Sequence, residues 1–262
     1  MLPVLLDLGI IKIYTQGVFL LLAFFWSTYF LWKHSTLTSY KEEELFDAMF
    51  FSMFGGLLIG RIFFVALHFD RFGFDILKFF LINGYPGIHL IGALVGAAFT
   101  FYLYTTWHKI QFSKTIDYFI APLLLALAIG KMGSFFSGSE VGAQTSFLLS
   151  LKYPNLDGAR HLTPLYESIL FFLGSFIAYR ILLAIRRDEF DLGFNFSFFI
   201  WFTSLVLFAM DPLKGLQPTI GNISFDFIVS GIMLLTSSLY LVYYFRASIK
   251  DRVTSIFRRK TS

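Results

Sequence analysis

The chain has 262 residues and a formal net charge of +4, and it is 56% hydrophobic against only 15% charged, with a mean hydropathy of +0.70. That balance excludes a soluble globular core and places the chain among polytopic membrane proteins. Having no cysteine, it also excludes disulfides, a thiol nucleophile and cysteine metal sites.

Taken in order, the N-terminal MLPVLLDLGIIKIY has no basic leader and carries Asp7 before its first long apolar run, so no cleavable signal peptide is expected. Seven apolar segments follow, at 13–32, 45–68, 86–107, 116–136, 164–183, 193–210 and 225–245. Each is close to the roughly 20 residues that cross a bilayer as helix. The expected fold is all-α: one integral membrane domain over 1–262 with seven transmembrane helices and a basic tail at 246–262. The 36 phenylalanines suit a lipid-facing surface with interfacial belts and point to no site.

The connections sort the cations. Six of the 21 Lys and Arg (Lys12, Arg71, Lys78, Lys152, Arg160, Lys214) fall on one side, thirteen on the other, and two, Arg61 and Lys131, within spans. The richer side is expected in the cytoplasm with the C-terminus, and the N-terminus is expected outside. The tail RASIKDRVTSIFRRK is expected along the anionic inner leaflet, at about 1 kcal/mol per basic residue. The unusual chemistry lies in the outer connections 69–85, 138–163 and 211–224.

Arg61, in GGLLIGRIFFV, is an intramembrane charge that calls for an anionic partner such as a carboxylate or a lipid phosphate. His89, in GYPGIHLIGALVGA, is a candidate general base, and Gly92 and Gly96 beyond it are read as a helix contact. The stretch DYFIAPLLLALAIGKMGSFFSGSEVG, 117–142, holds one lysine in an apolar run and then breaks into small and polar residues. An ammonium in hydrocarbon is costly, so Lys131 is expected to face a protein-lined cavity; the competing structural reading is a small-residue seam with Lys131 snorkelling to the surface. RHLTPLYE, 160–167, gathers three ionisable groups and a tyrosine at the entry of the fifth span, with Pro164 in its first turn. Asp211 in AMDPLKG reads as an ordinary helix end. Only the fourth span is clearly interrupted by glycine, which weakens an inverted-repeat transporter.

These segments, in this order and topology, resemble the prolipoprotein diacylglyceryl transferases of bacteria. The resemblance implies an enzyme of the bacterial inner membrane that moves diacylglyceryl from a phospholipid, phosphatidylglycerol, to the cysteine thiol of a preprolipoprotein lipobox peptide. It implies no cofactor, metal or nucleic acid. Arg61, His161, Tyr166 and Glu167 match family positions. The hallmark G-R-x-G-N-F-x-N-x-E-x-x-G is altered: Lys131 replaces its arginine, Ser134 and Ser137 its asparagines, and Glu140 stands one residue late. One residue is about 100° of helix, so Glu140 reaches the same place only if the chain is irregular there. His89 lies two residues early, Gln16 holds the tyrosine place of T-Y-G, and Leu207 and Asp211 fall where the sixth span has an arginine and a glutamate.

Under this reading His89 is the base, Lys131 and Arg61 hold the phosphate, and Glu140 or Glu167 orients the cations. Ser134 and Ser137 bond glycerol oxygens, and Gln16, His161 and Tyr166 join the substrate site. The runner-up is a repurposed relative that binds phospholipid or lipopeptide without transfer.

Overall fold

The computed structural model describes residues 2–9, 12–35, 41–81, 84–153, 156–215, 219–220 and 223–260, and of 219–220 and 247–260 only the backbone. Its long helices are α1 (Thr15–Ser35), α2 (Glu42–Leu67), α5 (Leu90–Trp107), α6 (Phe112–Ser137), α7 (Thr163–Ile185), α8 (Phe194–Met210) and α9 (Phe225–Lys260), with short helices α3 (Phe69–Phe72) and α4 (Ile76–Phe80) between α2 and α5. Among the described residues seven helices are long and apolar enough to cross a membrane, which is the all-α, seven-span fold read from hydropathy. Small antiparallel hairpins, β1–β2 (Val4–Asp7, Lys12–Tyr14), β3–β4 (Ser150–Lys152, Ala159–His161) and β5–β6 (Thr219–Ile220, Ile223–Ser224), precede α1, α7 and α9, all at one end of the bundle.

Most boundaries move by a few residues from the hydropathy reading, and two of the shifts bear on the site or the tail. α5 starts at Leu90 rather than 86, because Gly87 has φ +144°, outside any helix, and His89 caps the first turn. α9 continues to Lys260, so the basic tail begins as helix in line with the last span. The tail's side chains, on which the inner-leaflet expectation turns, lie outside the described residues.

α6 is the central element, with α1 and α7 packed along it. Leu124 and Ala128 of α6 and Phe171 and Ala178 of α7 are fully buried. Ser168 donates to the carbonyl of Ala128 and Ser175 to that of Ala121, each at 2.8 Å. The donors are two turns apart in one direction and the acceptors two turns apart in the other, which fixes an antiparallel register. The glycines do not interrupt the helix as the sequence suggested. α6 runs unbroken through Gly130 and Gly133 to a left-handed Gly138 cap at φ +71°. Gly133 instead admits α1, since a Cβ there would lie 2.5 Å from that of Phe19.

α2 and α5 form a second close pair. A Cβ on Gly96 would stand 2.9 Å from the carbonyl oxygen of Gly55, and one on Gly92 2.7 Å from Phe63 Cβ, so the glycine pair is the helix contact expected. At the far end of α6, Asp117 accepts from the N–H groups of Gly193 (2.6 Å) and Phe196 (3.2 Å) at the start of α8. Asn195 donates to the carbonyls of Asp117 and Ala178. A carboxylate on open N–H groups at a positive helix end is a structural joint, and it locks α6, α7 and α8 together.

Candidate functional site

The up-and-down order brings the C-terminal ends of α2, α6 and α8 beside the N-terminal ends of α1, α5, α7 and α9. The chemistry-bearing residues gather at that end. Lys131 lies less than two turns from the end of α6, and its side chain is only 12% exposed. Its Nζ stands 2.6 Å from Glu140 Oε2 and 2.7 Å from Glu167 Oε2. Glu167, in the first turns of α7, has no exposed surface, and its Oε1 lies 2.9 Å from Lys214 Nζ. One buried carboxylate thus bridges two ammonium groups. That arrangement offsets the cost of taking these charges out of water, and neither lysine needs to reach for the membrane surface.

Glu140 reaches Lys131 because the helix stops. α6 ends at Ser137, Gly138 reverses the chain in the left-handed conformation, and Glu140 folds back over the last turn. Its second oxygen accepts from Ser134 Oγ at 3.1 Å. The irregularity that a displaced glutamate requires is therefore present. Glu140 is 41% exposed, in contrast with Glu167 beneath it.

Lys214 is placed by backbone pairing. It follows the 3-10 turn Asp211–Leu213 and bridges antiparallel to Gly142. Ala143 donates to the carbonyl of Leu213 (2.8 Å) and Gly215 to that of Val141 (3.1 Å). Gly142 is needed where these segments cross, because a Cβ would lie 2.3 Å from the carbonyl oxygen of His161. Asp211 accepts from Ser224 Oγ at 3.0 Å, tying the end of α8 to the start of α9.

His89 is the residue before α5, and its Nδ1 accepts the N–H of Gly92 at 3.2 Å. Its Nε2 stands 2.8 Å from Oδ1 of Asp226 in the first turn of α9. Phe63 and Phe225 flank the ring. Asp226, in the first turn of α9, lies at the same end of the bundle as the lysine centre. Gln16 closes the α1 side: Nε2 donates to the carbonyl of Gly130 at 3.4 Å, and Oε1 lies 3.3 Å from Ser137 Oγ.

Three residues take other surroundings. Arg61 was expected to meet an anion, but its guanidinium donates to four backbone carbonyls, those of Lys78, Phe79, Tyr85 and Gly87, at 2.7–3.0 Å. Phe64 and Phe72 cover its faces. The planar fork matches a loop folded around it, so the charge is met by dipoles. His161 packs between Phe147 and Tyr166, and the Tyr166 hydroxyl donates to the carbonyl of Leu149. Among the described residues, neither His161 nor Tyr166 bonds Lys131, Glu167 or Lys214.

Lys214 and Asp226 were not singled out in the sequence. Lys214 was one of six outer cations, and an acid in a helix's first turn is what the helix dipole favours anyway. A signal for Lys214 did exist. With Leu207 in place of the sixth-span arginine, the next cation along the chain was the one to follow. A hollow of about 590 Å³ lined by Phe176, Tyr179, Arg180 and Arg187 opens towards the opposite end and includes none of the site residues. Among the described residues, no three His, Asp or Glu are grouped to hold a metal ion.

Residues 3–243 match the prolipoprotein diacylglyceryl transferase family. The chain is 26% identical over 236 residues, 88% of its own length and 86% of the relative's, to the phosphatidylglycerol-prolipoprotein diacylglyceryl transferase of Chromohalobacter salexigens. The enzyme of that name from Listeria monocytogenes is 28% identical, with 98% of this chain and 97% of the relative aligned. For that from Clostridium tetani the figures are 28%, 85% and 88%.

Proposed function

The chain belongs to the prolipoprotein diacylglyceryl transferase family, and from that premise we propose that it transfers the diacylglyceryl group of phosphatidylglycerol to the cysteine thiol of a prolipoprotein lipobox. The protein is a multi-pass membrane protein, and we place the end that carries Lys131 on the extracytoplasmic face of the bacterial inner membrane. The thirteen-to-six distribution of cations supports that orientation.

The reaction breaks the bond between the glyceryl carbon and its phosphate oxygen. The phosphodiester of the donor carries one negative charge, and the departing glycerol phosphate carries about −1.5 to −2. A site for this reaction must therefore favour added charge on phosphate in a place with little water. The observation that carries the proposal is the Lys131–Glu167–Lys214 bridge, two ammonium groups held side by side by one buried carboxylate. Lys214 supplies the second charge that Leu207 does not. Glu167 fixes both lysines and cannot leave, since vacating it would take from Lys214 its ion pair and leave Lys131 to Glu140 alone. Glu140 is half exposed and exchangeable, so the lipid phosphate takes its place on Lys131.

Ser134, Ser137 and Gln16 offer hydroxyl and amide partners for the glycerol end of the headgroup beside that phosphate. Arg61 contributes at a distance, by holding the segment 78–87 that leads into His89, and His161 and Tyr166 brace the loop above Glu167. Full-length protein in detergent, given phosphatidylglycerol and a synthetic lipobox peptide, is expected to add one diacylglyceryl mass to the cysteine and release glycerol phosphate. No mass gain under conditions where the Listeria relative reacts would refute the reading.

A further inference from the structure

The imidazole of His89 has no lone pair to spare. A backbone N–H can only donate, so the 3.2 Å contact from Gly92 requires Nδ1 to be the unprotonated nitrogen. In the neutral ring the proton then sits on Nε2, which points at Asp226 Oδ1 at 2.8 Å. Nδ1 accepts and Nε2 donates, and the ring is held by Phe63 and Phe225. A general base must present a free lone pair within reach of the proton it takes. The group of this pair that does so is the carboxylate. Asp226 has a second oxygen, and its side chain is 26% exposed against 9% for His89.

We propose that Asp226 Oδ2 takes the proton from the lipobox thiol, and that His89 acts as the positioning residue that holds Oδ1. The assignment rests on the transferase reading above. In the step, the S–H bond breaks and its proton passes to Oδ2. The sulfur pair forms the C–S bond to the glyceryl carbon. The pair of the breaking C–O bond leaves with the phosphate, which stands on Lys131 in the place of Glu140. Asp226 then hands its proton to the departing phosphate, whose second ionisation near pH 6 lets it accept one. Atoms and charge balance without any further reactant. The phosphate that leaves finally carries the proton away, so the carboxylate is returned for the next turnover.

The test compares Asp226→Asn and His89→Gln in the full chain, assayed with phosphatidylglycerol and a lipobox peptide from pH 7 to pH 9. Asp226→Asn should lose roughly 10²–10⁴-fold in turnover at pH 7, the usual share of a general base. Its deficit should narrow as the pH passes the thiol's own value of about 8.5, where the peptide ionises unaided. His89→Gln should lose less, and its deficit should not change with pH. Asp226→Asn within about ten-fold of wild type, a deficit that stays flat with pH, or a pH-rescued deficit in His89→Gln would each overturn the assignment. The imidazole nitrogen shifts of the wild-type protein give a reading that needs no variant. They should report the Nε2–H form, and the Nδ1–H form overturns the proposal even if Asp226→Asn does not fold. A wild-type protein that transfers nothing defeats the transferase reading itself, whereas transfer that survives Asp226→Asn defeats only the base.

Discussion

Arg61 and Lys131 stand at the same depth, each six residues from the last residue of its helix and at the same end of the bundle. Their charges are met by different groups. Arg61 spends its donors on four carbonyls of one loop, and every one of those partners is backbone. Lys131 is met by two carboxylates, one sealed and one half exposed. Carbonyl dipoles cannot leave without unfolding the loop, so the Arg61 region is a clamp. A partly exposed carboxylate can be exchanged for another anion, so the Lys131 region is a place where a phosphate can enter. A charge within a span marks something worth examining, and the nature of its partners distinguishes architecture from chemistry.

That contrast can be broken by substitution, with effects that fall in a definite order. Glu167→Gln should be the most damaging, because it leaves Lys214 beside a neutral side chain in a buried place and Lys131 with Glu140 alone. A loss of about 3–5 kcal/mol is expected, read as a lower unfolding temperature in detergent. Arg61→Lys should cost about 1–3 kcal/mol, since a lysine cannot reach four carbonyls in a planar fork and leaves some unmet. Its KM for phosphatidylglycerol should stay at the wild-type value when turnover is normalised to folded protein. A raised KM would make Arg61 a phosphate ligand after all. Glu140→Gln should be the mildest, changing stability by no more than about 1 kcal/mol, as expected of a partly exposed pair. It should lower KM for phosphatidylglycerol by removing the anion that competes for Lys131, and a higher KM would show that Glu140 helps to hold the lipid.

The span count was legible because hydropathy is a local signal, and a lone lysine in an apolar run marked one member of the candidate cluster that gathers at one end of the bundle. The Glu140 register was legible only as a condition, and the Gly138 reversal met it. What could not be read was pairing. Lys131 and Lys214 are 83 residues apart, and their common partner Glu167 comes from a third element. His89 and Asp226 are 137 apart. The partners of Arg61 are carbonyls, which every residue carries and no sequence pattern marks. The hydrogen bonding of His89 is likewise set in part by a backbone N–H, that of Gly92, which no sequence pattern marks. Gly130 and Gly133 looked like a break because glycine weakens an isolated helix, but the packing of α1 on Gly133 and the Ser168 and Ser175 bonds keep α6 whole.

The most direct test is the initial rate of diacylglyceryl transfer to a lipobox peptide by Lys131→Ala and Arg61→Lys, measured side by side and normalised to folded protein. Loss of a cation that stabilises developing phosphate charge should slow Lys131→Ala by roughly 10²–10³-fold, while Arg61→Lys keeps a rate close to wild type. Equal losses in the two variants, or unchanged transfer by Lys131→Ala, would contradict the account.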